Sequence, residues 1–256
     1  MEEAIEKFAI FGGVGWGPLN TKVSTLELIE EFVLSDFKFI RSDVTEVTEG
    51  LPLYHTILSG IAQGDGQTHT AFKRAKVSAE VGQKAVDELV ERGMIKVKKP
   101  KKLYFNSPFL RFWFAFVSPI FKGIRDGEYS EFRELFTNRY REFLHLPFVQ
   151  LSHELLKKSF TEDRFVEIGE HVHEGITFDI YAKTKSGKRV VGICKYTNSK
   201  LKKSELTRLE EMCQEAKIQA DIFVLVAKEG FSQELKSLKG DSLKLFTLKN
   251  FKQLVE

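Results

Sequence analysis

The stretch ITFDIYAK (176–183), TKSG (184–187) and KRVVGICKYTN (188–198) decides the fold. Two runs of β-branched and aromatic residues flank a short turn containing Ser186-Gly187, which is the pattern of a β-hairpin. Asp179 falls on the first strand and Lys195 near the end of the second, both among apolar neighbours. A carboxylate and an ammonium on adjacent strands are the groups a metal-assisted phosphodiester nuclease uses. The carboxylate holds a divalent cation, and the lysine supports the attacking water or the developing charge.

Outward from the hairpin, the pattern predicts a helix over 147–160, a strand over 164–168, a helix over 203–218 and a strand over 221–227. This order resembles the restriction-endonuclease-like core of the PD-(D/E)xK superfamily, and the resemblance implies an αβββαβ domain with a mixed sheet. The family carries an Asp on its second strand and (D/E)-x-K on its third. Asp179 and Lys195 match that pattern; in Ile193-Cys194-Lys195, however, Ile193 stands where the family has its second metal-binding carboxylate. The resemblance also implies a glutamate on the first core helix, and Glu154, in Leu151-Ser152-His153-Glu154-Leu155, is the matching position.

The catalytic set implied in this way is Lys195, Asp179 and Glu154, converging at one end of the sheet, with Asp179 and Glu154 as ligands of Mg²⁺. Glu205, on the following helix, is the candidate for a displaced carboxylate replacing the one lost at Ile193, ahead of Asn198. The competing reading pairs Asp179 with Lys195 as a salt bridge and leaves Glu154 solvated. Because an isoleucine cannot ligate a cation and a metal-assisted reaction needs the ion's full ligand set, the reading adopted is weak or absent cleavage.

Composition bounds the rest. The 256 residues suffice for one large or two small domains, and 42% hydrophobic with 29% charged residues is the profile of an ordinary globular protein, apart from its 23 Phe. No apolar run reaches the roughly 18 residues of a membrane span, and Met1-Glu2-Glu3 has no signal-peptide character, so the expected compartment is the cytoplasm, with no membrane partner. Cys194 and Cys213 fit no metal-ligand spacing and read as buried thiols. The net charge of +3 is uneven: residues 1–50 carry 4 basic and 10 acidic side chains, and residues 51–106 carry 10 and 5. The middle segment is where a polyanion would bind.

Residues 1–50 form an N-terminal helical segment. It has a helix over 2–10, the cluster Phe11-Gly12-Gly13-Val14-Gly15-Trp16-Gly17, and a helix over 24–34 with Ser24 as N-cap and Glu27 three residues on. The glycines meet neither GxGxxG nor GxxxxGK[ST], so they read as a loop and no ATP is expected.

Residues 51–106 read as a winged helix: helices over 54–62 and 68–76, broken at Gly64-Asp65-Gly66, then a helix capped by Ser78 with a stripe of Val81, Ala85, Val86, Leu89 and Val90, then a two-stranded wing turning at Pro100. The third helix, which reads bases in such a fold, sets Ser78, Glu80, Gln83 and Lys84 beside Asp87, Glu88 and Glu91, too acidic a face for a strong reader. Lys96, Lys98, Lys99, Lys101 and Lys102 of the wing, with Lys84, are the candidate nucleic-acid contacts, suited to phosphates and to DNA binding with little sequence choice. Their alternative role is to keep an exposed hairpin soluble and block edge pairing.

Residues 107–145 are an aromatic helical connector. Phe109, Phe112, Trp113 and Phe116 recur at i, i+3, i+4 and i+7 after a Ser107-Pro108 start, the spacing of core packing or a subunit contact. A second helix over 129–144 turns Phe132, Leu135, Phe136, Tyr140 and Phe143 inward and leads to the nuclease-like domain at 146–256. The phrase YFNSPFLRFWFAFVSP (104–119) after a winged helix resembles the C-terminal half of a family of archaeal and bacterial AAA+ ATPases that end in a domain of unknown function. In that family an ATPase module comes first; here only FGGVG (11–15) resembles its end. The resemblance implies an ATPase subunit as a partner through the aromatic helix and the acidic N-terminus, and the aromatic helix itself allows a contact with a second copy.

His171 and His173 alternate in GEHVHEG (169–175) and would share one side of a strand, with Glu170 and Glu174 on the other, so a polar loop or strand edge is expected there. The function expected overall is binding of DNA or a partner by a protein with a degenerate nuclease-like domain. The alternatives are an active Mg²⁺-dependent DNA endonuclease with a displaced carboxylate, and an interaction module that docks on a separate ATPase.

Overall fold

The computed structural model describes residues 1–20, 22–64, 66–98 and 102–255. They divide into two compact units, Glu6–Tyr140 and Arg141–Glu256, the latter together with Met1–Ile5.

The first unit is helical. α1 (Glu2–Phe11) leads into the glycine cluster, which is a packing loop: Trp16 stands edge-on to Phe11 at 5.4 Å and to Phe109 at 5.1 Å, and its indole N–H donates to the Phe11 carbonyl. α2 (Thr25–Ile29) starts at the capping box expected from the sequence, the Ser24 hydroxyl accepting from the Glu27 amide and the Glu27 carboxylate from the Ser24 amide, and continues as a π-turn over Glu30–Leu34. α3 (Phe37–Val47) has no counterpart among the expected elements; its Phe39 is 76% exposed, so the apolar spacing is blurred.

α4 (Pro52–Ala62), α5 (Thr68–Ala75) and α6 (Ala79–Glu91) pack tightly. A Cβ at Gly60 would lie 2.8 Å from the Ala71 carbonyl oxygen, and one at Gly82 would lie 2.5 Å from the Phe72 ring, so glycine sets both approaches. α6 is capped by Ser78, as expected. β1 (Ile95–Lys98) and β2 (Lys102–Phe105) form the antiparallel wing, and a third segment joins it through a bridge from Gln67 to Lys102. Pro100 and Asp65, around which the sequence places two turns, lie outside the described residues.

α7 (Pro108–Phe112), capped by Ser107, runs into a π-turn over Trp113–Val117, a 3₁₀ turn over Ser118–Ile120 and α8 (Phe121–Arg125). Phe112, Trp113, Phe114 and Phe116 are all buried. Phe112 meets Phe116 at 5.5 Å and Phe132 at 6.4 Å, and Phe136 stacks on Tyr140 at 4.1 Å, so the aromatic block is core, one of the two roles its spacing allowed, and the partner contact expected through it is corrected because its rings are buried within the unit.

α9 (Ser130–Ser159) corrects the two helices expected over 129–144 and 147–160: they are one helix that passes through Pro147. Proline removes one N–H and its bond to the carbonyl four residues back, but the thirty-residue helix is anchored on both sides of that gap, by Phe132 in the first unit and by Phe148, Leu155 and Leu156 in the second, all fully buried.

The second unit holds a five-stranded mixed sheet in the order β3-β4-β5-β6-β7. β3 (Phe165–His173), β4 (Ile176–Thr184) and β5 (Arg189–Lys195) are antiparallel neighbours; β6 (Ile222–Ala227) and β7 (Leu243–Thr247) continue in parallel. α10 (Lys203–Glu215) makes the crossover from β5 to β6, and α11 (Gln233–Ser237) precedes β7. β3 extends five residues beyond the expected 164–168, and β7, with the closing 3₁₀ turn Leu248–Leu254, adds to the expected order. α10 covers one face of the sheet, where Leu206, Leu209 and Cys213 pack on Phe178, Val191, Ile193 and Leu225. Strand alternation turns Cys194 to the other face, and there its buried thiol lies beside Ser152 of α9.

No helix among the described residues is long and apolar enough to cross a membrane.

Candidate functional site

The β3–β4 register fixes the position of Asp179. Gly169 opposes Tyr181 and His171 opposes Phe178, so two steps on β3 meet three on β4; the extra residue is a bulge at Asp179-Ile180. The β4–β5 ladder runs from Lys183↔Arg189 to Ile180↔Gly192. Just past it, the Asp179 carboxylate takes over the next donor, Oδ2 accepting from the Cys194 backbone N–H at 2.8 Å. Oδ1 lies 3.5 Å from Nε2 of His145, and Nε2 of His153 is 2.7 Å from the Asp179 carbonyl oxygen, both histidines projecting from α9. Asp179 is thus a carboxylate with Oδ2 hydrogen-bonded, Oδ1 facing an imidazole and its side chain 16% exposed.

Gly192 lets β5 lie against β6, since a Cβ there would come within 2.3 Å of the Val224 carbonyl oxygen. The next residue, Ile193, is 6% exposed and is held by Leu206 and Leu209 of α10. Lys195, two residues on, also faces α10: its Nζ is 3.8 Å from Oε2 of Glu205, an ion pair longer than a hydrogen bond. That Glu205 oxygen is buried and accepts no hydrogen bond among the described residues. Glu154 is exposed on α9 and bonded at 2.8 Å to Lys157.

The structure therefore brings Lys195 to Glu205 and Asp179 to His145, while Glu154 is held by its own helix neighbour. Asp179 takes its helix partners from α9 and Lys195 from α10, on opposite faces of the sheet, so the convergence of Lys195, Asp179 and Glu154 expected from the resemblance is corrected. Among the described residues no three His, Cys, Asp or Glu side chains form a metal-holding group. A cation at Asp179 would compete with the imidazole of His145 on one oxygen and with the Cys194 amide on the other. The Cys194 thiol, fully buried, has its pKa pushed well up by burial and then by the charge of Asp179, so it is a neutral packing group and not a nucleophile. Burial likewise raises that of Cys213 to about 11.

His171 and His173 share a side of β3 as expected, their rings 6.3 Å apart; His171 lies 4.4 Å from the Tyr181 ring, and burial, then the neighbouring His173, lower its pKa. His145 and His153 are neighbours of Asp179 that the sequence pattern does not single out. Their signal is two imidazoles on a helix whose neighbouring positions, Leu144, Phe148, Val149 and Leu155, are apolar and buried.

Of the wing cations, Lys96 and Lys98 are exposed, with Lys98 Nζ 5.6 Å from the Tyr104 ring centre, and Lys84 is exposed on α6. Lys102 is corrected as a phosphate contact: it is only 8% exposed, on a strand that is buried along its length. Lys99 and Lys101 lie outside the described residues.

Residues 113–209 match the model of DUF234, described as archaeal and bacterial proteins of unknown function. The matched stretch begins in the aromatic block and ends within α10, so it contains Glu154, Asp179, Ile193, Lys195 and Glu205. DUF234 carries no stated activity to set beside that site. No curated protein and no solved structure matches the chain.

If Asp179 serves chiefly as the acceptor beyond the end of the β4–β5 ladder, its removal is a stability defect. Asp179→Ala orphans the Cys194 amide and costs about 1–3 kcal/mol, whereas Asp179→Asn keeps an acceptor oxygen and costs less. Urea titrations followed by circular dichroism measure the difference; equal midpoints for the two variants and the parent chain would exclude the role.

Proposed function

We propose that this protein binds DNA with little sequence preference through its helical unit, and that the unit with the mixed sheet is a nuclease-like domain that has lost cleavage. The winged-helix reading is supported by the order α4-α5-α6-β1-β2 and by the Gln67 bridge that adds a third segment to the wing. The nuclease-like reading is supported by topology: three antiparallel strands, a crossover helix, a parallel strand, and α9 and α10 on opposite faces. It does not draw on convergence of Asp179 with Lys195.

The observation that carries the loss of cleavage is Ile193. It is packed into the α10 interface at the one place where the resembling family needs a second carboxylate, and Asp179 already has a partner on each oxygen. DNA attraction falls to Lys84, Lys96 and Lys98, which contact phosphates without reading bases.

Two measurements test this. In a plasmid-nicking assay with Mg²⁺ or Mn²⁺ the protein leaves the plasmid intact; nicking that disappears in Asp179→Ala would overturn the reading in favour of an active endonuclease. In fluorescence anisotropy with an unrelated pair of duplexes, Lys96→Glu with Lys98→Glu weakens binding equally on both, and the slope of log K against log [salt] flattens by about 1 per lysine removed. Binding that the double variant leaves unaltered would move the interface elsewhere, and absence of DNA affinity at low salt would favour a pure interaction module.

A further inference from the structure

We infer that Arg74 and Arg139 form a clamp for a phosphate group at the turn between α4 and α5. Arg74, on α5, and Arg139, on α9, both lie in the helical unit and donate to one oxygen, the backbone carbonyl of Gln63, at 2.5 and 3.2 Å. Among the described residues neither guanidinium is paired with a carboxylate. α4 and α5 contain no Asp or Glu, and their two cations, Lys73 and Arg74, stand exposed in the last turn of α5. Asp65, inside the turn, lies outside the described residues.

Gln63 closes α4, and one cation there satisfies its carbonyl and complements the helix end. The second sets like charge against like charge on a single acceptor, which is unfavourable until an anion lies between the two. Each guanidinium has five N–H donors and gives one to Gln63, while Arg74 is exposed and Arg139 half-buried. Planar forks converging from two helices suit phosphate, whose oxygens accept N–H donors in pairs. The turn is also pinned to the wing: the Leu103 amide donates to the Gly66 carbonyl at 2.7 Å, and Gln67 bridges to Lys102. The clamp is therefore tied to the hairpin that carries Lys96 and Lys98, which favours a nucleic-acid backbone as the source of the phosphate. In that respect the inference rests on the DNA-binding reading above; free phosphate is the other source, and the test separates them.

The test uses the full chain and two variants. Arg74→Gln with Arg139→Gln removes both charges. Thr70→Glu leaves both arginines on Gln63 but sets a carboxylate one helical turn from Arg74; the Thr70 methyl and the Arg74 guanidinium carbon already flank one spot, 3.6 and 3.9 Å from where a Cβ on Gly64 would stand. In an anisotropy titration with a fluorescein-labelled duplex, the double variant binds at least about tenfold more weakly than the parent, and its slope of log K against log [salt] is flatter by about 2. Thr70→Glu also weakens binding, although its new i,i+4 pair supports the helix. In the second arm inorganic phosphate replaces chloride at matched ionic strength, and the thermal midpoint is read from the emission of Trp16 and Trp113, both in this unit. Phosphate raises the midpoint of the parent more than that of either variant, since its general stabilising effect is common to all three and cancels. Duplex affinity lowered in both variants supports the clamp on a backbone phosphate. A midpoint shift confined to the parent, without duplex binding, keeps the clamp and removes the DNA-binding reading. Neither response overturns the inference. So does duplex binding weakened only in the arginine double variant with its unfolding midpoint lowered in step, the mark of a lost helix cap.

Discussion

Replacing Ile193 by Asp lowers the stability of the sheet by about 3–5 kcal/mol, and millimolar Mg²⁺ does not restore it. The first half of that result follows from burial. Ile193 touches Leu206, Leu209 and Val191 in a site only 6% open, so the variant loses an aliphatic side chain from a packed core and introduces a carboxylate with no hydrogen-bond donor. The ammonium of Lys195, two residues along the same face, is already paired with Glu205 and offsets only part of the cost. The second half follows from where the acids point. Asp179 is engaged by His145 of α9 and by the Cys194 amide, whereas position 193 looks to α10, so the restored motif does not assemble two ligands around one ion. Hydrogen exchange over 189–195 and 222–227 reads the loss directly. Recovery of protection on adding Mg²⁺ or Mn²⁺, with nicking activity, would instead establish that the site needs only its missing carboxylate.

Phe112→Ala is expected to cost the helical unit about 3–5 kcal/mol, the usual range for a large aromatic removed from a rigid core. The ring is fully buried and contacts Phe116, Phe132 and Phe136 at centroid distances of 5.5, 6.4 and 6.5 Å. Because its neighbours belong to a π-turn and a long helix, they cannot close the void by a simple side-chain rotation, and most of the cavity persists. Both tryptophans, Trp16 and Trp113, belong to this unit, so tryptophan emission in a urea titration reports its unfolding and not that of the sheet. A shift below about 1 kcal/mol would indicate that the aromatic block repacks freely, behaviour that belongs to volume-conserving swaps and not to the truncation of a ring.

How far the chain can be read from its sequence depends on how local each signal is. The caps at Ser24, Ser78 and Ser107 are readable because a hydroxyl and the amides it accepts from lie within three residues of one another. The hairpin around Ser186-Gly187 is legible for the same reason, as is the α6 stripe at Ala85, Val86 and Leu89, whereas Val81 and Val90, expected in that stripe, are exposed. β7 escapes because Leu243–Thr247 is short and pairs, among the described residues, only with β6, a partner some twenty residues away, and α3 escapes because Phe39 faces water. Pro147 reads as a helix start because its local cost is visible in sequence, while the buried anchors on each side that outweigh it are not.

The site is legible in its residue types and not in its wiring. Asp179, Ile193 and Lys195 stand out on the two strands from their chemistry alone. The bulge that re-aims Asp179 depends on a register with β3, and the two histidines that meet it come from a helix more than twenty residues upstream. Lys102 shows the same gap: a fifth lysine in a basic run is counted as exposed until the strand's burial is known.

The bulge also gives Asp179 a reason to exist that requires no reaction. Where strands four and five part, the carboxylate works as a fastener, closing a gap that a slipped alignment would leave open. Motif searches that score an acid and a lysine on neighbouring strands will count such fasteners among enzymes, and the backbone amide each acid touches is the detail that sorts them.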